Sequence, residues 1–122
     1  EAIDLLEGRR DLHPNAEELD KIRLASFLNR SLCYAKLGKW NESLKDARIS
    51  VEQDPGNPKA YFRLAAARAA LHEYQESLDA IKACEMTCGV TTETQRLRQE
   101  VSDAKAVYNA QQKSKFSKMF IQ

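Results

Sequence analysis

LASFLNRSLCYAKLGKWNESLKDARISVEQDPGN, residues 24–57, decides the fold, because the chain repeats it. A shift of 34 residues places Leu37 on Leu71, Trp40 on Tyr74 and Glu42-Ser43-Leu44 on Glu76-Ser77-Leu78. Phe27 falls on Tyr61 and Ala35 on Ala69 by the same shift. Each copy reads as a helix, a short turn and a second helix. One such hairpin cannot bury its apolar face alone, so copies must stack. The expectation is an all-α chain whose functional surface is the groove made by stacked helix pairs.

Working outward, residues 15–37 read as the first helix of this unit. Asn15 offers an N-cap, with Glu18 three residues on as its capping-box partner, and Glu17, Glu18 and Asp20 suit the positive end of the helix dipole. The apolar positions Leu24, Phe27, Leu28, Ser31 and Tyr34 recur at three and four, and Gly38 stops the helix. The partner helix, 41–53, has Leu44, Ala47, Ile49 and Val51 as its expected inner positions. Asp54-Pro55-Gly56-Asn57-Pro58 breaks the chain, and Pro58 fits the first position of the next helix, 58–71, which is rich in Ala. Helix 74–86 follows, then a loop over 87–91. Ser43 and Ser77 fall where the paired helices should cross, and a small side chain there permits the contact.

Residues 93 to about 119 form a last long helix outside the repeat. Leu97, Val101, Ala104 and Tyr108 make one stripe, as expected of a capping helix that covers the last hairpin. Past Tyr108 the stripe thins, and the tail should project into solvent. At the other end, Glu1-Ala2-Ile3 aligns with Glu42-Ser43-Leu44, so residues 1–10 read as the second helix of an earlier repeat. On that reading the sequence opens inside a repeat whose first helix lies outside it.

Size and composition set further bounds. A chain of 122 residues is one domain, and a net charge of +1 offers no global field for nucleic acid. No stretch approaches a membrane span, and none reads as a signal peptide. Three cysteines, Cys33, Cys84 and Cys88, read as free thiols in a reducing, cytoplasmic setting. Cys84 and Cys88 have no further Cys or His clustered with them, so no metal site is expected. There is no nucleophile-plus-base pair, Gly-rich phosphate loop or pair of acids, so neither catalysis nor a cofactor is expected of this stretch.

The residues with binding chemistry lie on the first helix of each pair. Lys59 and Arg63 are four apart and share a helix face, and Asn29 stands one repeat before Arg63. Adjacent helices pack roughly 8–10 Å apart. Asn29, Lys59 and Arg63 are therefore expected to point into one space, with Leu32, Phe62 and Ala66 as apolar neighbours. Together the three polar side chains offer only cationic donors and one amide.

The 34-residue period and its content resemble the tetratricopeptide repeat (TPR), a helix-turn-helix superhelix whose first helices line the concave face. Lys59, Arg63 and Asn29 resemble part of the dicarboxylate clamp of TPR domains that hold the Glu-Glu-Val-Asp tail of the ninety- and seventy-kilodalton heat-shock chaperones. Lys21-Ile22-Arg23-Leu24-Ala25-Ser26-Phe27-Leu28-Asn29 and the ending Lys113-Ser114-Lys115-Phe116-Ser117-Lys118-Met119-Phe120 resemble large immunophilins of the FKBP and cyclophilin types. That resemblance implies a co-chaperone module divided as 1–14, 15–57, 58–91 and 92–122, with a peptidyl-prolyl isomerase domain in the parent protein. The family clamp has five residues, of which three have counterparts here. Three other readings stand beside it: a calmodulin-type target in the basic aromatic tail, a scaffold for a folded partner, and self-association through an exposed first edge.

Overall fold

In the computed structural model, which describes residues 15–120, five helices follow one another. These are α1 (Ala16–Lys36), α2 (Trp40–Gln53), α3 (Pro58–Ala70), α4 (Tyr74–Cys88) and α5 (Thr92–Phe120). α1 pairs with α2 and α3 with α4; α2 packs on α3, α4 on α5, and α1 also touches α3. The architecture is thus a stack of two helical hairpins closed by one long helix, the all-α TPR-like arrangement expected from the repeat. The expected helix over 1–10, the turn at 11–14 and the last two residues lie outside the described residues.

Local chemistry places each helix end. The Glu18 N–H donates to Asn15 Oδ1 at 2.9 Å and starts α1. Asn57 accepts from the Lys59 N–H at 3.0 Å, and Pro58 takes the first turn of α3, where a missing N–H costs nothing. At the start of α5, the Thr94 N–H donates to Thr91 Oγ1 (3.1 Å) and the Thr91 N–H donates to Thr94 Oγ1 (2.9 Å). This is a reciprocal capping box with Thr in the place of Glu.

Both hairpin turns have the same construction. The Gly38 N–H donates to the Ala35 carbonyl (3.0 Å) and the Lys39 N–H to the Tyr34 carbonyl (2.8 Å). In the second hairpin His72 bonds to Ala69 (3.0 Å) and Glu73 to Arg68 (2.8 Å) in the same pattern. These are paired Schellman closures, and the residue after the helix must take a left-handed backbone. Gly38 does so with φ 75° and His72 with φ 63°.

The helix crossings are polar as well as small. The Ser43 hydroxyl donates to the Ser31 carbonyl at 2.8 Å, and the Ser31 hydroxyl donates to the Ser43 carbonyl at 2.9 Å. The Ser77 hydroxyl donates to the Ala65 carbonyl at 2.7 Å, 34 residues further on. All four residues are fully buried. Backbones can come this close only where side chains are small, and the hydroxyls satisfy themselves on the opposite helix.

This corrects the expected inner faces. In α2, Ala47 is buried as expected, but Leu44, Ile49 and Val51 are only half-buried; the other buried positions are Ser43, Asp46 and Ser50. In α1, Ser31 alone is buried, and Leu24, Phe27, Leu28 and Tyr34 are half-buried. The tight crossing selects small side chains for the seam and pushes the larger apolar ones to its flanks. Helix limits differ by one or two residues: α4 continues through Cys88, where a loop from Thr87 was expected.

The apolar centre is Ala65, Ala80, Ile81 and Val101, with Leu64, Leu78 and Leu97 packed around it. Val101 and Leu97 come from α5, so the expected stripe does cap the second hairpin. Beyond Tyr108 nearly every residue of α5 is exposed, as expected of a projecting tail.

Candidate functional site: a cleft between the third and fifth helices

Two walls define the cleft. α3 contributes Phe62, Arg63 and Ala66, and α5 contributes Glu93, Arg96, Leu97 and Glu100. The space between them is about 330 Å³ and open to solvent. The spacing on each wall is helical: 62, 63 and 66 on α3, and 93, 96, 97 and 100 on α5. Phe62 and Leu97 are half-buried and form an apolar floor. Two guanidinium and two carboxylate groups stand around it.

Of the six residues expected to bind a ligand, the structure gathers Phe62, Arg63 and Ala66 in this cleft. Lys59 is exposed one turn before Arg63 on α3, and Asn29 is exposed on α1, which packs against α3. Leu32, on α1, is half-buried. Asn29, Leu32 and Lys59 do not line the cleft itself.

Arg63 carries an unmet demand. Its Nε is buried and, among the described residues, has no hydrogen-bond partner. A buried N–H of a cation without an acceptor loses its hydration and gains nothing in return, a cost of about 1–3 kcal/mol. The guanidinium also forms no ion pair among the described residues, although Glu93 and Glu100 line the same cleft. An incoming carboxylate would give the guanidinium an ion pair.

Other charges are already committed. Arg30 Nε and Nη2 donate to both oxygens of Asp46 at 2.7 and 2.8 Å, and the guanidinium carbon lies 5.5 and 6.0 Å from the ring centroids of Phe27 and Tyr34. The hydrogen bond to Asp46, then its charge, raises the Arg30 pKa above its ordinary value. Asp46 is buried beneath this pair, which serves to join α1 to α2. Arg68 pairs with Glu73 at 3.0 Å across the second turn. Arg98 pairs with Glu85, which also accepts from the Thr94 hydroxyl at 3.1 Å. These ties hold α5 in place. Below them, Lys105 donates to Gln75 at 2.9 Å, and Tyr108 stacks on His72 with ring centroids 4.6 Å apart.

Sequence reasoning missed Arg96, Glu93 and Glu100. α5 has no repeat register against which to align a charge; the one available signal was Arg96 standing beside Leu97 of the apolar stripe. Among the described residues no cluster could hold a metal ion, and no helix is long and apolar enough to cross a membrane. The three cysteines are free thiols.

No family-wide sequence profile matches the chain. Individual proteins do. A Hsp70-Hsp90 organizing protein of Triticum aestivum is 39% identical over 57 residues, 47% of this chain and 10% of that protein. A Protein SGT1 homolog of Oryza sativa is 33% identical over 79 residues, 65% of this chain and 22% of that protein. A Tetratricopeptide repeat protein 4 homolog of Dictyostelium discoideum is 41% identical over 58 residues, 48% of this chain and 14% of that protein. The matched stretch is thus a small part, under a quarter, of each of these relatives. Likeness to a protein named for its tetratricopeptide repeats agrees with the 34-residue period and the stacked hairpins, and supports a TPR domain. None of these three relatives is named as an immunophilin.

Proposed function

We propose that this chain is a protein-interaction module of the co-chaperone type, which holds the acidic C-terminal tail of a heat-shock chaperone in the groove of its TPR stack. The ligand is a Glu-Glu-Val-Asp end. Lys59, Arg63 and Asn29 take the two carboxylates of its terminal Asp, while Leu32, Phe62 and Ala66 receive its apolar side chain. The observation that carries this reading is the Arg63 guanidinium, without an ion pair among the described residues, set against an apolar floor in an open cleft. A carboxylate supplies an acceptor and a charge to the guanidinium together, and such bonds are short and strong. The names of the relatives, organizing proteins of Hsp70 and Hsp90 among them, favour a chaperone as the partner. The site performs no chemistry on its ligand. The cell compartment proposed is the cytoplasm, where free thiols persist. The long α1 and the Lys-rich aromatic ending favour a parent of the immunophilin type, with the isomerase domain outside this stretch.

Calorimetric titration tests it. The 122-residue chain is titrated with Met-Glu-Glu-Val-Asp and with the same peptide amidated at its C terminus. Binding of the free acid alone supports the clamp; equal binding of both peptides rejects it.

A second reading concerns the end of α5. Phe116, Met119 and Phe120 are exposed at i, i+3 and i+4, so they share one helix face, and Lys113, Lys115 and Lys118 surround them. A basic helix with an apolar face fits calmodulin-type targets. Calcium-dependent binding of calmodulin that survives Lys59→Ala would support it, and no binding with calcium present would end it.

A further inference from the structure

The capping helix carries charge that neither its own fold nor the three-residue clamp uses. Glu93, Arg96 and Glu100 share the cleft-facing side of α5 with Leu97. Arg96 is exposed and, among the described residues, forms no ion pair, although Glu93 stands three residues before it and Glu100 four after. Across the cleft Arg63 has no ion pair among the described residues either. Two guanidiniums thus face one space about 330 Å³ in size, each without a committed carboxylate among the described residues. Arg98, two residues on, is in contrast tied to Glu85 and points to the α4 seam.

We propose that Arg96 is a specificity-determining residue of the peptide site: it takes the carboxylate of one acidic side chain upstream of the ligand's C-terminal Asp. The assignment rests on the clamp reading above and deepens it. An extended peptide directs successive side chains to opposite faces. When its end is held on α3 by Lys59 and Arg63, alternate residues turn towards α5. Of two adjacent Glu residues, only one meets Arg96. Glu93 and Glu100 bracket Arg96 one turn to either side, so the wall presents negative, positive and negative charge in order along the helix. Such a wall accepts a single acid at one register and repels an acid displaced by a turn. The capping helix therefore reads sequence, whereas the clamp on α3 reads the chain end.

Three peptides test this by calorimetry: Met-Glu-Glu-Val-Asp, Met-Gln-Glu-Val-Asp and Met-Glu-Gln-Val-Asp. Each is titrated into the unaltered chain, Arg96→Gln and Lys59→Ala, with melting curves confirming that the variants fold. One of the two Gln peptides should bind the unaltered chain roughly tenfold more weakly, the size of one charge-assisted bond. Arg96→Gln should lose the same factor with the first peptide and nothing further with that Gln peptide. Lys59→Ala should weaken all three peptides alike. The Arg96 assignment alone is overturned if Arg96→Gln binds all three peptides as the unaltered chain does, or weakens all three equally, while Lys59→Ala still reduces binding. If the unaltered chain binds none of them, or Lys59→Ala changes nothing, the clamp reading fails and takes the Arg96 assignment with it.

Discussion

Gly38 and His72 occupy the same place in successive hairpins, 34 residues apart, and both hold a left-handed backbone, with φ 75° and 63°. For glycine that conformation is free; for a residue with a Cβ it costs roughly 1–2 kcal/mol. His72 offsets the strain through its side chain, which stacks on Tyr108 and hydrogen-bonds the Tyr74 hydroxyl at 3.0 Å. Gly38→Ala should therefore destabilise the chain by about 1–2 kcal/mol in urea denaturation. His72→Ala keeps the strain and loses the stack, a loss of about 1 kcal/mol. His72→Gly relieves one and loses the other, and should be close to neutral. If His72→Ala is as stable as the unaltered chain, the stack contributes nothing; if it is as stable as His72→Gly, the left-handed backbone costs nothing.

The crossing at Ser77 makes a second prediction. Ser77→Ala removes one buried bond to the Ala65 carbonyl and should cost about 1 kcal/mol. Ser77→Leu also forces α3 and α4 apart, adding roughly 1–3 kcal/mol. Equal melting temperatures for the two variants would mean that the seam has room to spare.

Cys84 sets an alkaline limit. Burial, then the Cys88 thiol beside it, pushes the Cys84 thiol up from 9.0 to about 11. A folded-state value above the unfolded one contributes stability that is present below the unfolded value and is lost as pH rises through the folded one. Stability should fall between pH 9 and 11, with Cys84 responsible for on the order of 2 kcal/mol. Denaturation curves of Cys84→Ala across the same range should lack that part of the slope. In the native chain at neutral pH, a thiol reagent should label the exposed Cys33 and Cys88 quickly and Cys84 only on unfolding.

The cleft makes a fourth. Lys59→Ala and Arg63→Ala should each weaken binding of a free-acid chaperone peptide by roughly tenfold or more. Glu93→Gln and Glu100→Gln should act in the opposite direction and strengthen it by about two- to fivefold, the scale of an exposed charge interaction. Isothermal titration at low salt reads both signs, and retained affinity in the two cation variants would end the clamp.

Repeats and turns were legible because they are written in residue identity. Gly38 and Pro58 mark backbone conformations, and the 34-residue shift aligns Trp40 with Tyr74 without reference to any contact. The interior of the helix crossings was harder to read. Ser43 and Ser77 announced smallness, yet their bonds to the opposite carbonyls depend on a register that only packing sets. Nothing in the sequence marked Asp46 as buried; Arg30 on the neighbouring helix covers it. Expectation followed hydrophobicity to Leu44, Ile49 and Val51, whereas the seam chose by size. The α3 wall of the cleft was found by repeat register; the α5 wall was missed because that helix has no second copy to be compared with.

Contacts between helices run mainly from each helix to its neighbour in the chain. Folding along such a path closes only short loops, so topology imposes little delay, and either hairpin can form before the other. The same arrangement means that damage travels by adjacency. A fault in α1 reaches α5 only through the helices between them, and each seam absorbs part of it. Hydrogen exchange should accordingly be slowest along α3, which packs against α1, α2 and α4, and fastest in the final turns of α5.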